Sequence, residues 1–215
     1  PDVQLQAGGQ CETDFGFMPE YTDIEGLRKY KRHLITGEEV ICSEKIHGSS
    51  FRACFKEDRL WVGSHYQIKK EDPNNLYWKA AIQTNLKEKL VRFPNLVFYG
   101  EVFGQVQKGY NYGVPTGGIE VGFFDIYDPT LGRYVDENMF VEILTALDLK
   151  RCPLLYSGPW SEDLMTTLSN GKTTLGEKHI REGFVVKPVK ERWEPGCGRV
   201  IFKMVGEDYL LSKNS

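Results

Sequence analysis

The sequence predicts an α+β fold. Three observations lead there: short apolar, β-branched and aromatic stretches follow one another across tight turns, few of them are joined through a helix, and the helical periodicities fall between groups of strands rather than alternating with them. The 215 residues fit one domain of ordinary size. With 12 Phe, 11 Tyr and 4 Trp, a core can form without disulfides or a structural metal, and disorder is excluded for most of the chain.

In chain order, residues 1–17 are polar and Gly-containing and read as a lead-in, with the domain proper over 18–215. Asp23 is placed to cap a short helix over 24–31. Residues 38–46 and 50–55 read as strands, and the charged turn 56–59 leads into a strand over 60–62. After the turn at Asp72-Pro73-Asn74, a helix is predicted over 75–92, capped by Asn74 or Asn75. Ile82, Leu86 and Leu90 fall on its apolar face, and Pro94 stops it. Residues 96–103 and 119–127 are strands. The Gly- and Tyr-rich stretch 104–118 between them is a long loop of the kind that carries function. Asp136 caps a helix over 137–148 whose stripe is Met139, Phe140, Ile143, Leu144 and Leu147. Ser161 caps a shorter helix over 162–169, with Gly171 just past its end. Residues 183–186 and 199–205 are the last strands.

The formal net charge is -3, which excludes a protein that coats nucleic acid non-specifically. Charge is nevertheless uneven: six basic residues lie between Arg181 and Lys203 against three acidic ones. The five cysteines are odd in number, and no pair has C-x-x-C spacing. A disulfide framework and a zinc knuckle are therefore not expected, and an intracellular setting is. No apolar run reaches the length of a membrane span. The chain begins at Pro1, and the expectation is a piece of a longer protein.

The chemistry starts at Ser43-Glu44-Lys45-Ile46-His47-Gly48-Ser49-Ser50, where a lysine ends an apolar strand before Gly and Ser. A lysine taken at random is a solvated strand end. As a nucleophile toward phosphorus it must be the free amine, so an ordinary value of about 10.4 has to be brought down by its surroundings. Gly48 would let the backbone approach a nucleotide closely. Four further sites follow in order. Glu101 is a lone carboxylate in an apolar strand. Phe123-Phe124-Asp125 supplies aromatics beside an acid. Glu182-Gly183 stands at the mouth of a strand that runs through Val185 to Lys187. Lys203 is a cation at the centre of Arg199-Val200-Ile201-Phe202-Lys203-Met204-Val205. Taken singly, these could be an edge-strand Glu, core aromatics and a surface ion pair. Lys203 resists such an account, because a lysine there needs a partner. Together they supply a nucleophile, two carboxylates for a hydrated divalent metal or a ribose, an aromatic face for a base, and a cation for phosphate charge.

This pattern resembles the covalent nucleotidyltransferase superfamily of ATP-dependent ligases and mRNA-capping enzymes. Lys45-Ile46-His47-Gly48 looks like its first motif in the K-x-H-G form of RNA ligases; DNA ligases and capping enzymes usually carry Asp where this chain has His47. Glu101, Phe124-Asp125, Glu182-Gly183 and Lys203 match the later motifs, so the resemblance runs over about residues 18–212. Met18-Pro19-Glu20-Tyr21-Thr22-Asp23-Ile24, Trp61-Val62-Gly63-Ser64 and Arg192-Trp193 look like the fifth group of RNA ligases, which typically carries an OB-like module before the catalytic domain.

The resemblance implies two antiparallel sheets with flanking helices and a nucleotide cleft between them. It implies ATP and Mg²⁺ or Mn²⁺ as cofactors, and RNA 5′-phosphate and 3′-OH ends, on a nicked duplex, as the partner of a monomeric RNA-repair enzyme. Lys45 would form a lysyl-AMP intermediate, with Lys203 and Glu182 as its catalytic partners. Glu44, Ile46, Gly48, Glu101, Phe124, Val185, Lys187 and Lys203 would bind the nucleotide, and Glu101 and Glu182 the metal through water. Three positions depart from the pattern: His65 stands where an arginine is usual, Ser50 where many relatives have Asn, and Val205 where the last motif often has a second lysine. His65, Ser50 and His47 are accordingly carried without fixed roles. Histidine changes charge near neutrality, so His65 would make activity follow pH. Without an upstream module, self-adenylation is expected to survive better than strand joining. The rival readings are a DNA ligase or capping guanylyltransferase, which His47 disfavours, and a non-catalytic ATP- or RNA-binding module, which retention of Lys45, Glu101, Glu182 and Lys203 disfavours.

Overall fold

A computed structural model describes residues 8–176 and 178–213. The first residues of the expected lead-in, 1–7, and the last two of the expected domain, 214–215, lie outside them. The strands are β1 (Glu25–Gly26), β2 (Glu39–Glu44), β3 (Ser49–Lys56), β4 (Arg59–Gly63), β5 (Val97–Gly104), β6 (Ile119–Asp128), β7 (Arg133–Tyr134), β8 (Leu154–Pro159), β9 (Gly183–Pro188), β10 (Trp193–Glu194), β11 (Gly198–Arg199) and β12 (Phe202–Val205). The helices are α1 (Leu27–Tyr30), α2 (Leu76–Gln83), α3 (Leu86–Leu90), α4 (Glu137–Leu147), α5 (Asp163–Ser169) and α6 (Glu207–Lys213).

The α+β expectation holds. One five-stranded sheet has the order β1-β12-β9-β2-β8, the other β4-β3-β5-β6-β7, and β10-β11 form a separate hairpin. All pairings are antiparallel except the two-residue edge pair of β1 with β12. The second sheet buries Phe51, Phe98, Val102 and Phe123 against Trp78 of α2, Leu86 and Leu90 of α3, and Phe140 and Leu144 of α4. The first buries Val40, Cys42, Phe184, Val186, Phe202 and Met204 against Leu27, Trp160 and α5. A fully buried phenylalanine contributes roughly 1.5–3 kcal/mol. Because side chains alternate along a strand, seating Phe202 and Met204 in this core turns Lys203 the other way. Val185 and Lys187 turn away from Phe184 and Val186 in the same manner.

Several boundaries differ from expectation, each for a local reason. The helix predicted over 24–31 shrinks to α1, because Glu25 and Gly26 pair with Phe202 and Lys203 instead. Asp23 caps nothing there. The helix predicted over 75–92 breaks at Asn85, which adopts a left-handed conformation (φ 52°). Asn75 caps α2 by accepting the Tyr77 and Trp78 N–H groups. The break takes Ile82 off the face shared by Leu86 and Leu90, leaving it half exposed while they are fully buried. Met139 likewise leaves the stripe of α4. Asp136 accepts the Glu191 N–H at 2.7 Å instead of capping α4, and no side-chain cap from Ser161 forms on α5. The strand expected over 199–205 divides: Arg199 belongs to the hairpin, and the Ile201 N–H bonds locally to the Arg199 carbonyl before β12 begins. Edge strand β8 has no strand signature in the sequence, because its Ser, Gly and Pro read as loop.

Within the lead-in, the Glu12 N–H bonds to the Ile68 carbonyl and the Lys70 N–H to the Gln10 carbonyl. Met18 is buried beside Trp61 and Tyr99. The five cysteines are free. Among the described residues, no helix is long and apolar enough to cross a membrane.

Candidate active site

Between the sheets lies a cleft of about 280 Å³. Lys45 reaches it from the turn just after β2. That turn is fixed by the Glu44 N–H bonding to the Pro153 carbonyl (2.8 Å) and the Lys45 N–H to the Gly183 carbonyl (3.0 Å). The Lys45 ammonium donates to Glu182 Oε1 at 2.6 Å. Glu182 comes from the residue before β9, and its position depends on Gly183. At φ 154° a Cβ on Gly183 would lie 1.9 Å from the Met204 carbonyl oxygen, so only glycine lets this turn sit against β12.

Ile46, Ser50, His65, Glu101, Phe124, Val185, Lys187 and Lys203 join Lys45 and Glu44 around the cleft. Glu182, His47 and Gly48 stand outside its lining and act on it through neighbours. The close approach that Gly48 permits is to β5: a Cβ there would meet the Val102 carbonyl oxygen at 2.1 Å. Its N–H donates to Glu101 Oε1 at 3.0 Å, so the glycine seats the lysine turn on the second sheet. Glu44 is buried at the edge of the cleft. Its buried carboxylate accepts from the Thr173 hydroxyl and from both N–H and hydroxyl of Thr174.

Phe124 is partly buried, with Tyr21 edge-on at 4.8 Å between ring centroids. Ser50 stands opposite Glu101 in the β3–β5 register. His65 packs on Tyr66 with the rings at 85°. The two lysines expected to meet phosphate differ. Lys187 is buried, with its ammonium 3.4 Å from Asp125 Oδ1, so its charge is compensated. Lys203 has no hydrogen-bond or ion-pair partner among the described residues. The partner that the strand position demanded is therefore missing among the described residues, and Lys203 borders the cleft.

The carboxylates also differ. Burial pushes Glu101 up from 4.5 to about 8, against the pull of Lys45 and the Gly48 N–H. Glu182 Oε2 is buried and accepts no hydrogen bond, though His47 Nδ1 lies 3.4 Å away. Burial, ahead of Lys213 and Lys45, holds His47 below its usual range despite the attraction of Glu182. A buried oxygen with no hydrogen-bond partner among the described residues and a desolvated carboxyl, both within the field of Lys45, fit a divalent cation, whose charge would relieve both.

Glu101 also sets a pH dependence. Its folded value lies above its unfolded one, so its contribution to stability is present below about pH 4.5 and is lost as pH rises to about 8. Glu101→Gln is expected to flatten the fall in melting temperature across that window. An equally steep fall in the variant would contradict the assignment.

Beside the cleft, with Tyr21 and Lys187 in its lining, runs a clamp centred on Asp125, which the sequence marked only as the neighbour of Phe124. Asp125 is wholly buried and accepts from Arg199 Nη2 (2.5 Å), the Tyr21 hydroxyl (2.7 Å) and Lys187. Burial raises its carboxyl, but Arg199 and Lys187 hold it below the usual range. Arg199 also donates to both oxygens of Glu191 and lies 3.8 Å over the Tyr134 ring. The available signal was an acid in an apolar strand, the same one that exposed Glu101.

A family model described as RNA ligase matches residues 38–205. Solved structures of the RNA ligase of Naegleria gruberi share the fold. A lysine-to-alanine variant with ATP and Mn superposes with a TM-score of 0.81 at 23% identity, covering 96% of this chain and 62% of that one. The same enzyme with pyrophosphate gives 0.82 at 23%, covering 98% and 62%. An arginine-to-alanine variant with ATP and Mn gives 0.84 at 22%, covering 96% and 62%. The chain thus spans 62% of the length of these solved chains. No curated protein sequence matches it.

Proposed function

The chain belongs to the RNA ligase family, and from that premise we propose that it is the adenylate-accepting domain of an ATP-dependent RNA ligase in which Lys45 is the nucleophile. One observation carries the reading: Lys45 and the uncompensated Lys203 border the same cleft. The binding of ATP and Mn by the Naegleria gruberi enzyme supports ATP and a divalent cation as the cofactors here.

Lys45 Nζ attacks the α-phosphorus of ATP. A P–N bond forms, the bond from the α-phosphorus to the bridging oxygen breaks, and pyrophosphate leaves. In the free protein Glu182 is the counterion of the Lys45 ammonium, so attack requires that bond to be exchanged and the Nζ proton to pass to solvent water. A cation held through water by Glu101 and Glu182 would supply charge for that exchange and for the phosphate oxygens. Lys203 stabilises the negative charge that builds on the α-phosphate, and Phe124 offers its face to the adenine. Ile46 and Val185 pack against the nucleoside, while Lys187 acts mainly through Asp125. An oxygen of an RNA 5′-phosphate then attacks the α-phosphorus, the P–N bond breaks and Lys45 is freed; a 3′-OH next attacks the 5′-phosphorus, losing its proton and expelling AMP as the phosphodiester forms. The reading takes residues 18–215 as the adenylation domain and a nicked duplex, joined by a monomeric intracellular enzyme, as the substrate.

The test is incubation with ATP, Mg²⁺ or Mn²⁺ and 5′-phosphorylated nicked RNA, resolving adenylylated RNA and sealed product. RNA carrying AMP is expected first. Nucleotide binding with no AMP on protein or RNA would instead indicate a binding module, and label from GTP alone a guanylyltransferase.

A further inference from the structure

The loop over 104–118 turns its aromatics inward. Tyr110 lies 5.0 Å from the His47 ring and 5.1 Å from that of His179, and Tyr112 lies 4.5 Å from His179. The Tyr112 hydroxyl accepts the His47 N–H at 2.7 Å, and Gln107 Nε2 donates to the Gly48 carbonyl at 3.3 Å. These contacts fix the loop to the turn that carries Lys45. Tyr112 is buried by them and Tyr110 is left partly exposed.

The other side of the loop borders a groove of about 570 Å³, distinct from the nucleotide cleft, whose far wall is Lys178 and His179. Gln105, Gln107 and Asn111 line it with Lys108, and no carboxylate is among the described lining residues. Lys108 and Lys178 are exposed, and neither has a hydrogen-bond or ion-pair partner among the described residues. In a chain with 30 acidic and 27 basic residues, a groove whose described lining holds no carboxylate and whose two lysines have no partner among the described residues favours a polyanion. Phosphodiesters fit it well: each lysine neutralised releases counterions, and the side-chain amides can bond phosphate oxygens and 2′-hydroxyls without reading sequence.

We infer that this groove holds the phosphodiester backbone of the RNA strand whose end is delivered to Lys45. The inference rests on the ligase reading and extends it, giving the RNA a place on this chain outside the nucleotide cleft.

The test compares wild type, Lys108→Ser/Lys178→Ser and Lys108→Arg/Lys178→Arg as full chains, without ATP. The probe is a 5′-phosphorylated nicked RNA duplex, titrated over a series of salt concentrations. The serine pair is expected to bind more weakly, with a log–log salt slope shallower by about 1.4 to 1.8. The arginine pair should restore the slope, and all three should melt together and form the AMP adduct equally. Equal slopes for wild type and the serine pair, including no binding by either, overturn the inference. An absent adduct in wild type is a failure of the ligase reading instead, and the binding comparison still decides the groove.

Discussion

Replacing Lys203 by methionine is expected to lower the rate of lysyl-AMP formation by about 10²–10³, with the fold intact. Lys203 lies in β12 between Phe202 and Met204, which hold the strand in the core of the first sheet, so an unbranched apolar side chain of similar length keeps that packing. What disappears is one ammonium with no counterion among the described residues, on a side chain that borders the cleft with Lys45. A preorganised donor aimed at developing charge in a water-poor site contributes roughly 2.7–4 kcal/mol to the barrier. Single-turnover adenylation at saturating ATP measures it. A fall of less than tenfold would show that the α-phosphate is stabilised elsewhere, Lys187 being the first candidate. Because the Lys187 charge already faces Asp125, Lys187→Met is expected to cost stability more than rate.

Asp125→Ala is expected to cost about 3–5 kcal/mol of stability, the range for removing one partner of a buried ion pair. Arg199 keeps Glu191 in the variant, but Lys187 is left buried without its counterion and Tyr21 loses its acceptor. In a chain of this size each kcal/mol shifts the melting temperature by roughly 2–4 °C, so a drop of about 10 °C is predicted. The sign with pH follows from the carboxyl being held below its ordinary value of 3.8. Its contribution is present above that value and is lost as pH falls below it, so wild type and variant should converge in acid. A drop under 3 °C at pH 7 would mean that the clamp is not what joins β6 to β9 and the hairpin.

Much of the site was legible because strand alternation leaves a mark in sequence. A lysine between Phe202 and Met204, and a glutamate among Val97, Phe98 and Val102, are anomalies wherever the chain folds as sheet. What could not be read was which anomalies meet. Lys45 and Glu182 are 137 residues apart, and Asp125 and Arg199 are 74 apart; those contacts follow from sheet order, which no local spacing encodes. Glu44 shows the same limit. Its place beside Lys45 suggested a nucleotide contact, and it does line the cleft, but nothing local to it announced that Thr173 and Thr174, far along the chain, hold its carboxylate. The helix break at Asn85 was hidden for another reason. Ile82, Leu86 and Leu90 keep helical spacing across it, and only the backbone shows that the last two belong to a second helix.

Intact mass after incubation with ATP and Mg²⁺ or Mn²⁺, on wild type and Lys45→Ala, tests the central claim most directly. A single AMP adduct on wild type that is absent from the variant is the predicted result. An adduct that persists in Lys45→Ala, or none on wild type despite measurable ATP binding, would contradict it.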